Sequence, residues 1–286
     1  MSQPDRFTTE NQTIAYEVAG DGPPLLLLHG FPQTRAMWRP LVPALADRYT
    51  VVSADLRGYG DSSKPVTMPE MSFRLMAQDM VSLMASRGFA AFHAVGHDRG
   101  ARTVHRMALD HPEVILSLTV MDIVPTEHLL TNMTTELARA YYHWLFLAQP
   151  YPFPETMIRH DPDAYFERCL LGFGKASLTD FDPELLAAYR AAWRDPDCIR
   201  AMCHDYRAAI DVDWPDDRAD LHRRVTCPAL VLYGKDGAMA RLLDVPGTWT
   251  DRLESMQHAA IDGGHFFPDQ SPKATTDALL RFLETV

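Results

Sequence analysis

Apolar positions along this chain follow two rhythms. Up to residue 122, short unbroken apolar runs alternate with stretches in which apolar side chains return every three or four residues. Residues 25–28, four leucines in a row, are the clearest run; such a run marks a strand covered on both faces of a parallel sheet. Residues 50–54, 91–95 and 116–121 repeat the pattern and predict three more buried strands. Helical spacing predicts helices over 37–46 and 73–87. It predicts another after Gly100, where Ala101, Val104 and Ala108 share one face ahead of Pro112. Residues 6–18 alternate and predict an antiparallel hairpin turning at Glu10-Asn11.

The rhythm changes at Ile123. From there to about Arg218 the pattern is helical and rich in aromatics, with Pro and Asp as punctuation; helices are predicted over 136–147, 164–171, 183–193 and 199–210. Alternation resumes with strands at 229–233 and 256–261 and a final helix at 273–283. The simplest architecture is a doubly wound α/β fold: a mostly parallel eight-stranded sheet with helices on both faces. An inserted helical cap occupies 125–218, between core segments 1–124 and 219–286. Ligands of such sheets bind beyond the carboxyl ends of the strands. His29, Asp98, Asp122, Asp236 and His265 all stand just past predicted strand ends, where the cap would roof them.

One of these strand ends carries a motif. Gly96-His97-Asp98-Arg99-Gly100 reads G-x-D-x-G, the nucleophile-elbow pattern with aspartate where esterases carry serine. Small residues flank such a turn because its backbone is sharp. A carboxylate there is poorly suited to attack a carbonyl, since the product would be an anhydride. It is suited to displacing a leaving group from an sp3 carbon, giving an ester that water then hydrolyses. The expected chemistry is therefore carbon–halogen or epoxide opening. No G-x-S-x-G occurs, which excludes serine esterase activity as the main function.

Composition narrows the partners. The 286 residues carry a formal net charge of -11 and no basic run, which argues against nucleic acid. That charge also repels an anionic substrate at long range, so local arginines would have to overcome it. Cys169, Cys198, Cys203 and Cys227 have neither metal spacing nor a paired framework, the N-terminus has no apolar signal segment, and no run is long enough to span a membrane. Together these predict a cytoplasmic protein that binds no membrane.

The ester needs a base. His265, in Asp262-Gly263-Gly264-His265-Phe266 after the last strand, is the candidate among 12 histidines, because such triads run nucleophile, acid, histidine in chain order. Its orienting carboxylate is Asp122 or Asp236; the spacing alone leaves the two level. Backbone N–H groups of Arg99 and of Phe31, in His29-Gly30-Phe31-Pro32, would form the oxyanion hole. Arg99 and Arg102 share a helix face in its first turn and suggest a fork for a substrate carboxylate. Arg106 lies a turn deeper and reads as structural.

These residues resemble haloacetate dehalogenases of the fluoroacetate dehalogenase type, within the α/β-hydrolase superfamily. The resemblance rests on Gly96 to Arg102, on 106–112 and 117–126, on His29 to Gln33, on Asp55 to Ser62, on Tyr142-His143-Trp144 and on Gly263 to Phe266. The G-x-D-x-G and Asp-Leu-Arg-Gly-Tyr-Gly-Asp-Ser patterns are shared with epoxide hydrolases and haloalkane dehalogenases; the Asp98-Arg99-Gly100-Ala101-Arg102 run is the specific part. The resemblance implies an α/β-hydrolase fold, hydrolytic dehalogenation of short 2-haloacids, and Asp122 as the acid. It implies a carboxylate held by Arg99 and Arg102, a halide held by His143, Trp144 and Tyr206, no metal or organic cofactor, and a homodimer. The residues alone would make Trp144 part of the cap's own core. The rival reading is an epoxide hydrolase using the same triad, with Tyr141, Tyr142, Tyr189 or Tyr206 as proton donors; a neutral epoxide gives two arginines nothing to bind. A non-catalytic binding protein on this fold would be expected to have lost a triad member, and none is missing.

Overall fold

The computed structural model describes residues 4–9, 11–172 and 176–286. Its strands are β1 (Asp5–Thr8), β2 (Thr13–Ala19), β3 (Pro24–Leu28), β4 (Thr50–Ala54), β5 (Phe92–His97), β6 (Ile115–Met121), β7 (Ala229–Gly234) and β8 (Met256–Ile261). They form one eight-stranded sheet in the order β1-β2-β4-β3-β5-β6-β7-β8. β1 and β2 pair antiparallel, β2 runs antiparallel to β4, and every later pairing is parallel. The leucines of β3 and all of β5 are buried, because helices cover both faces of the sheet's centre. The hairpin forms, but Glu10 of its expected turn lies outside the described residues.

The strand order reverses between β3 and β5, so the loops leaving these two neighbours diverge and open a crevice at their carboxyl ends. The sequence Gly96 to Gly100 lies at this point. Among the described residues, no strand interrupts the chain between Met121 and Ala229; the segment is a succession of helices. Three of them begin Asp-Pro, at Pro162–Leu171, Pro183–Trp193 and Pro196–Ala208. Asp161, Asp182 and Asp195 accept from the amides of Ala164, Glu184 and Asp197 at 3.0, 2.8 and 2.9 Å. Proline at the first helical position costs no hydrogen bond, and the aspartate satisfies a free amide, which explains that punctuation.

Three expected helices differ in extent. The stretch 37–46 divides into a short 3-10 turn, Arg35–Trp38, and the helix Val42–Ala46, because Pro40 offers no N–H to continue the first turn. The stretch 136–147 divides at Tyr141, whose φ of -113° and ψ of 36° leave the helical region, into Thr135–Ala140 and Tyr142–Leu147. The stretch 199–210 begins earlier, at Pro196, and ends in a π-turn, Ala209–Asp213, before the helix Trp214–Ala219. The Asp213 carboxylate on that turn accepts from the Phe73 amide at 2.9 Å and so ties the inserted helices to the start of the helix Phe73–Ser86.

Candidate active site

Asp98 stands between β5 and the helix Arg99–Asp110 with φ of 48° and ψ of -112°, a conformation few side chains adopt. The turn closes only because its neighbours lack side chains. A Cβ on Gly96 would drive into the Gly100 carbonyl, and one on Gly30 into Asp98 itself. The Phe31 amide donates to Asp98 Oδ1 at 2.9 Å. Oδ2 lies 3.8 Å from His265 Nε2. Burial opposes charge on Asp98, but His265, Arg99, His97 and Arg102 outweigh it and hold the carboxyl down at about 2. It is an anion in a dry turn at the start of a helix.

His265 donates from Nδ1 to Asp122 Oδ2 at 2.6 Å, and the Gly234 amide donates to Asp122 Oδ1 at 2.8 Å. Asp122 also has a positive φ, 50°. Asp236, the competing acid, is exposed and lines the outer cavity; it makes no hydrogen bond to His265 among the described residues. Burial disfavours a charge on His265, yet the Asp122 hydrogen bond and charge, aided by Asp98, raise its pKa above the ordinary histidine value.

The arginines are less free than the sequence suggests. Arg99 is fully buried, and its Nε donates to Asp205 Oδ2 at 2.9 Å and its Nη2 to the Asp205 carbonyl at 3.0 Å. Tyr59 donates its hydroxyl to the same carboxylate at 2.5 Å. Among the described residues the Nη1 of Arg99 has no partner. Arg102 has no carboxylate within ion-pair distance among the described residues; its Nη1 reaches the Val124 carbonyl and Thr126 Oγ1, each at 3.0 Å, and its Nε is unpartnered. Burial and the charge of Arg99 lower its pKa to about 10. The Trp144 ring packs on both guanidiniums, 4.9 Å from Arg99 and 4.8 Å from Arg102, and separates two like charges by a favourable contact with each. Arg106 binds Asp110 and Asp220 and is structural, as expected.

A cavity of about 790 Å³ opens onto Asp98. Phe31, Tyr141, His143, Tyr206 and His265 line its inner end, and Cys169, Arg168, Arg241 and Asp236 lie among its other walls. His143 stacks on Phe31 at 5.6 Å and meets Tyr206 edge-on at 5.5 Å; burial lowers its pKa to about 3, so its ring is neutral. The buried Tyr206 hydroxyl has no partner among the described residues. Arg99 and Trp144 are buried directly against this inner end, 4.3 and 5.3 Å from the Tyr206 ring, with Arg102 beside Trp144. Sequence reading missed two residues here, Asp205 and His97. Asp205 could have been noticed as a carboxylate on the apolar face of Met202, Tyr206 and Ala209, where a lone charge requires a partner.

The family model for the alpha/beta hydrolase fold matches residues 23–272. A fluoroacetate dehalogenase from Burkholderia sp. is 52% identical, over 95% of this chain and 90% of its own length. A soluble epoxide hydrolase from Corynebacterium sp. (strain C12) is 30% identical, over 93% and 92%. A solved chain from Nostoc sp PCC 7120, provisionally assigned to the alpha/beta hydrolases, superposes with a TM-score of 0.96 at 43% identity, covering 98% of this chain and 97% of that one. The chain belongs to the α/β hydrolase fold family, in its fluoroacetate dehalogenase type.

Proposed function

We propose that this chain hydrolyses short 2-haloacids to hydroxyacid and halide, with haloacetate as the simplest substrate. Asp98 Oδ2 attacks the α-carbon and expels the halide. Oδ1 becomes the carbonyl oxygen of the resulting ester and keeps the Phe31 amide, with the Arg99 amide as the second donor to the oxyanion. His265 Nε2 then takes a proton from water and hydroxide adds to Asp98 Cγ, while Asp122 stabilises the imidazolium. The Cγ–Oδ2 bond breaks, the hydroxyacid leaves with Oδ2 and the proton from His265, and the Asp98 carboxyl releases its remaining proton to solvent. Arg102 and the free Nη1 of Arg99 hold the substrate carboxylate. His143, Trp144 and Tyr206 donate to the departing halide, with residues 125–218 as a cap over the core segments 1–124 and 219–286. No metal or organic cofactor takes part in this scheme.

The observation that carries the reading is Arg102, a buried guanidinium whose charge acts on Asp98 and which has no carboxylate within ion-pair distance among the described residues. Burying such a charge is costly unless an anion joins it, and a neutral epoxide brings none. The test is halide release from fluoroacetate and chloroacetate, with a simple epoxide run in parallel. Halide and glycolate, both lost in Asp98→Ala, are expected. Turnover of the epoxide alone would overturn the reading in favour of the rival hydrolase.

The four cysteines described are unpaired, which suits a cytoplasmic enzyme. Among the described residues no helix is long and apolar enough to cross a membrane. A homodimer is part of the same proposal. Leu145, Phe153 and Met157, on two successive helices of the cap, and Tyr151, in the turn between them, are exposed apolar side chains that a second copy would cover. Sedimentation should give a dimer that Phe153→Asp converts to monomer; a wild-type monomer would sink this part.

A further inference from the structure

The sheet fixes Asp98 and Asp122 directly. The Asp98 amide donates to the Met121 carbonyl at 3.2 Å and the Asp122 amide to the Leu232 carbonyl at 2.8 Å, so both turns extend the strand ladder. His265 has no such support. Its loop leaves β8, the edge strand, and must cross the ends of β7 and β6 to bring the ring over Asp98. Up to Gly264 the loop is held from its own side: Asp236 N–H to the Gly263 carbonyl at 2.9 Å, and Gly264 N–H to Gln270 Oε1 at 2.7 Å.

At its far end the loop meets His97. This residue ends β5, immediately before the nucleophile, and is completely buried. Its Nε2 lies 2.8 Å from the main-chain carbonyl of His265, and the two rings are 4.7 Å apart. A carbonyl can only accept, so Nε2 carries the proton and Nδ1 carries a lone pair. That Nδ1 is buried without a partner among the described residues. An unmade hydrogen bond in the interior is costly, and a site that retains one calls for an explanation.

We propose that His97 is a positioning residue for the hydrolytic half-reaction, its Nε2–H holding the His265 backbone so that Nε2 of His265 faces the Asp98 ester. The inference rests on the dehalogenation reading above. His265 is then fixed at two points, its ring by Asp122 and its main chain by His97. A ring held by Asp122 alone could swing about that hydrogen bond, and misplacement by about 1 Å costs up to roughly a hundredfold in rate. His97 does not compete as the base. Burial and the neighbouring His265 keep its pKa near 3, so it stays neutral while His265 titrates. Halide displacement by Asp98 does not use His265 and is untouched by this contact.

The test compares His97→Gln with His97→Asn. The amide nitrogen of glutamine reaches the place of Nε2, while that of asparagine falls one bond short, and both are small polar side chains. Rapid mixing with chloroacetate separates a first burst of chloride from steady turnover, and mass spectrometry reads the ester on Asp98. His97→Asn should keep a burst of one chloride per site and accumulate the ester. Its steady rate should fall about 10- to 100-fold, and the acidic limb of kcat should move to lower pH as Asp122 loses its grip on the ring. His97→Gln should recover most of the rate. Equal loss of burst and turnover, equal slowing in both variants, or wild-type rates in both would overturn the proposal. Failure of the wild type to release halide at all would instead reject the dehalogenation reading.

Discussion

Asp98 holds its carboxylate at a positive φ that costs on the order of 1–3 kcal/mol, and the surrounding glycines and the Phe31 amide sustain it. The two oxygens are differentiated before any substrate arrives, since Oδ1 already has its amide and Oδ2 faces the cavity side of His265. The pH behaviour of the two half-reactions should therefore separate. Asp98 remains ionised down to about pH 2, so the halide burst should survive acidification. His265 must be neutral to act as base and its pKa is raised, so ester hydrolysis should fail as pH drops through that value. At pH 5, stopped-flow should record a full burst followed by turnover slowed by about tenfold or more relative to pH 8. His265→Asn should leave the ester as a stable product, seen as one added carboxymethyl group on the Asp98 peptide. A burst that disappears in step with turnover would contradict this division of labour.

Between elements, the contact of greatest consequence is Arg99 with Asp205. It joins the helix Arg99–Asp110, which begins at the nucleophile, to the helix Pro196–Ala208, which carries Tyr206. Both partners are fully buried, so neither can be removed alone. Asp205→Leu would strand a guanidinium in the interior and should cost about 3–5 kcal/mol in a urea unfolding experiment, with chloroacetate turnover also lost as Tyr206 shifts. An unchanged midpoint would mean the pair is not what docks these helices. This pair also marks where the sequence stops being readable. β3, β4 and β5 were legible because burial on both faces leaves an unbroken apolar run, and the helix start at Asp182-Pro183 was legible because a cap is local, whereas the starts at Pro162 and Pro196 were placed two and three residues late. Asp98 and His265 share that advantage, with glycines at fixed offsets and strand ends behind them. The break at Tyr141 and the π-turn at Ala209–Asp213 were not legible, for packing against distant residues decides them. The choice between Asp122 and Asp236 depends on where the His265 loop lands after crossing the sheet, which no spacing records. Arg99 and Asp205 are 106 positions apart, and nothing near either one announces the other.

For the whole molecule, a formal charge of -11 opposes the approach of an anionic substrate, while the local arginines attract it only at short range. Screening should thus help rather than hinder. Raising ionic strength from about 10 to 150 mM with a halide-free salt should raise kcat/KM for chloroacetate by about two- to threefold, and leave that for a neutral substrate unchanged. A fall would mean that arginines, not net charge, dominate the encounter. The chamber that receives the substrate also contains Cys169, beside the Tyr142 hydroxyl. α-Haloacids alkylate thiolates, so an enzyme living on them keeps a rival nucleophile within reach of its own substrate. Burial pushes the Cys169 thiol up to about 12, so it stays protonated at neutral pH. Burial, which neighbouring cations overcome at Asp98, meets no such cation strong enough at this thiol and silences it, and the number of catalytic cycles each enzyme molecule survives depends on that part of the wall keeping its thiol protonated.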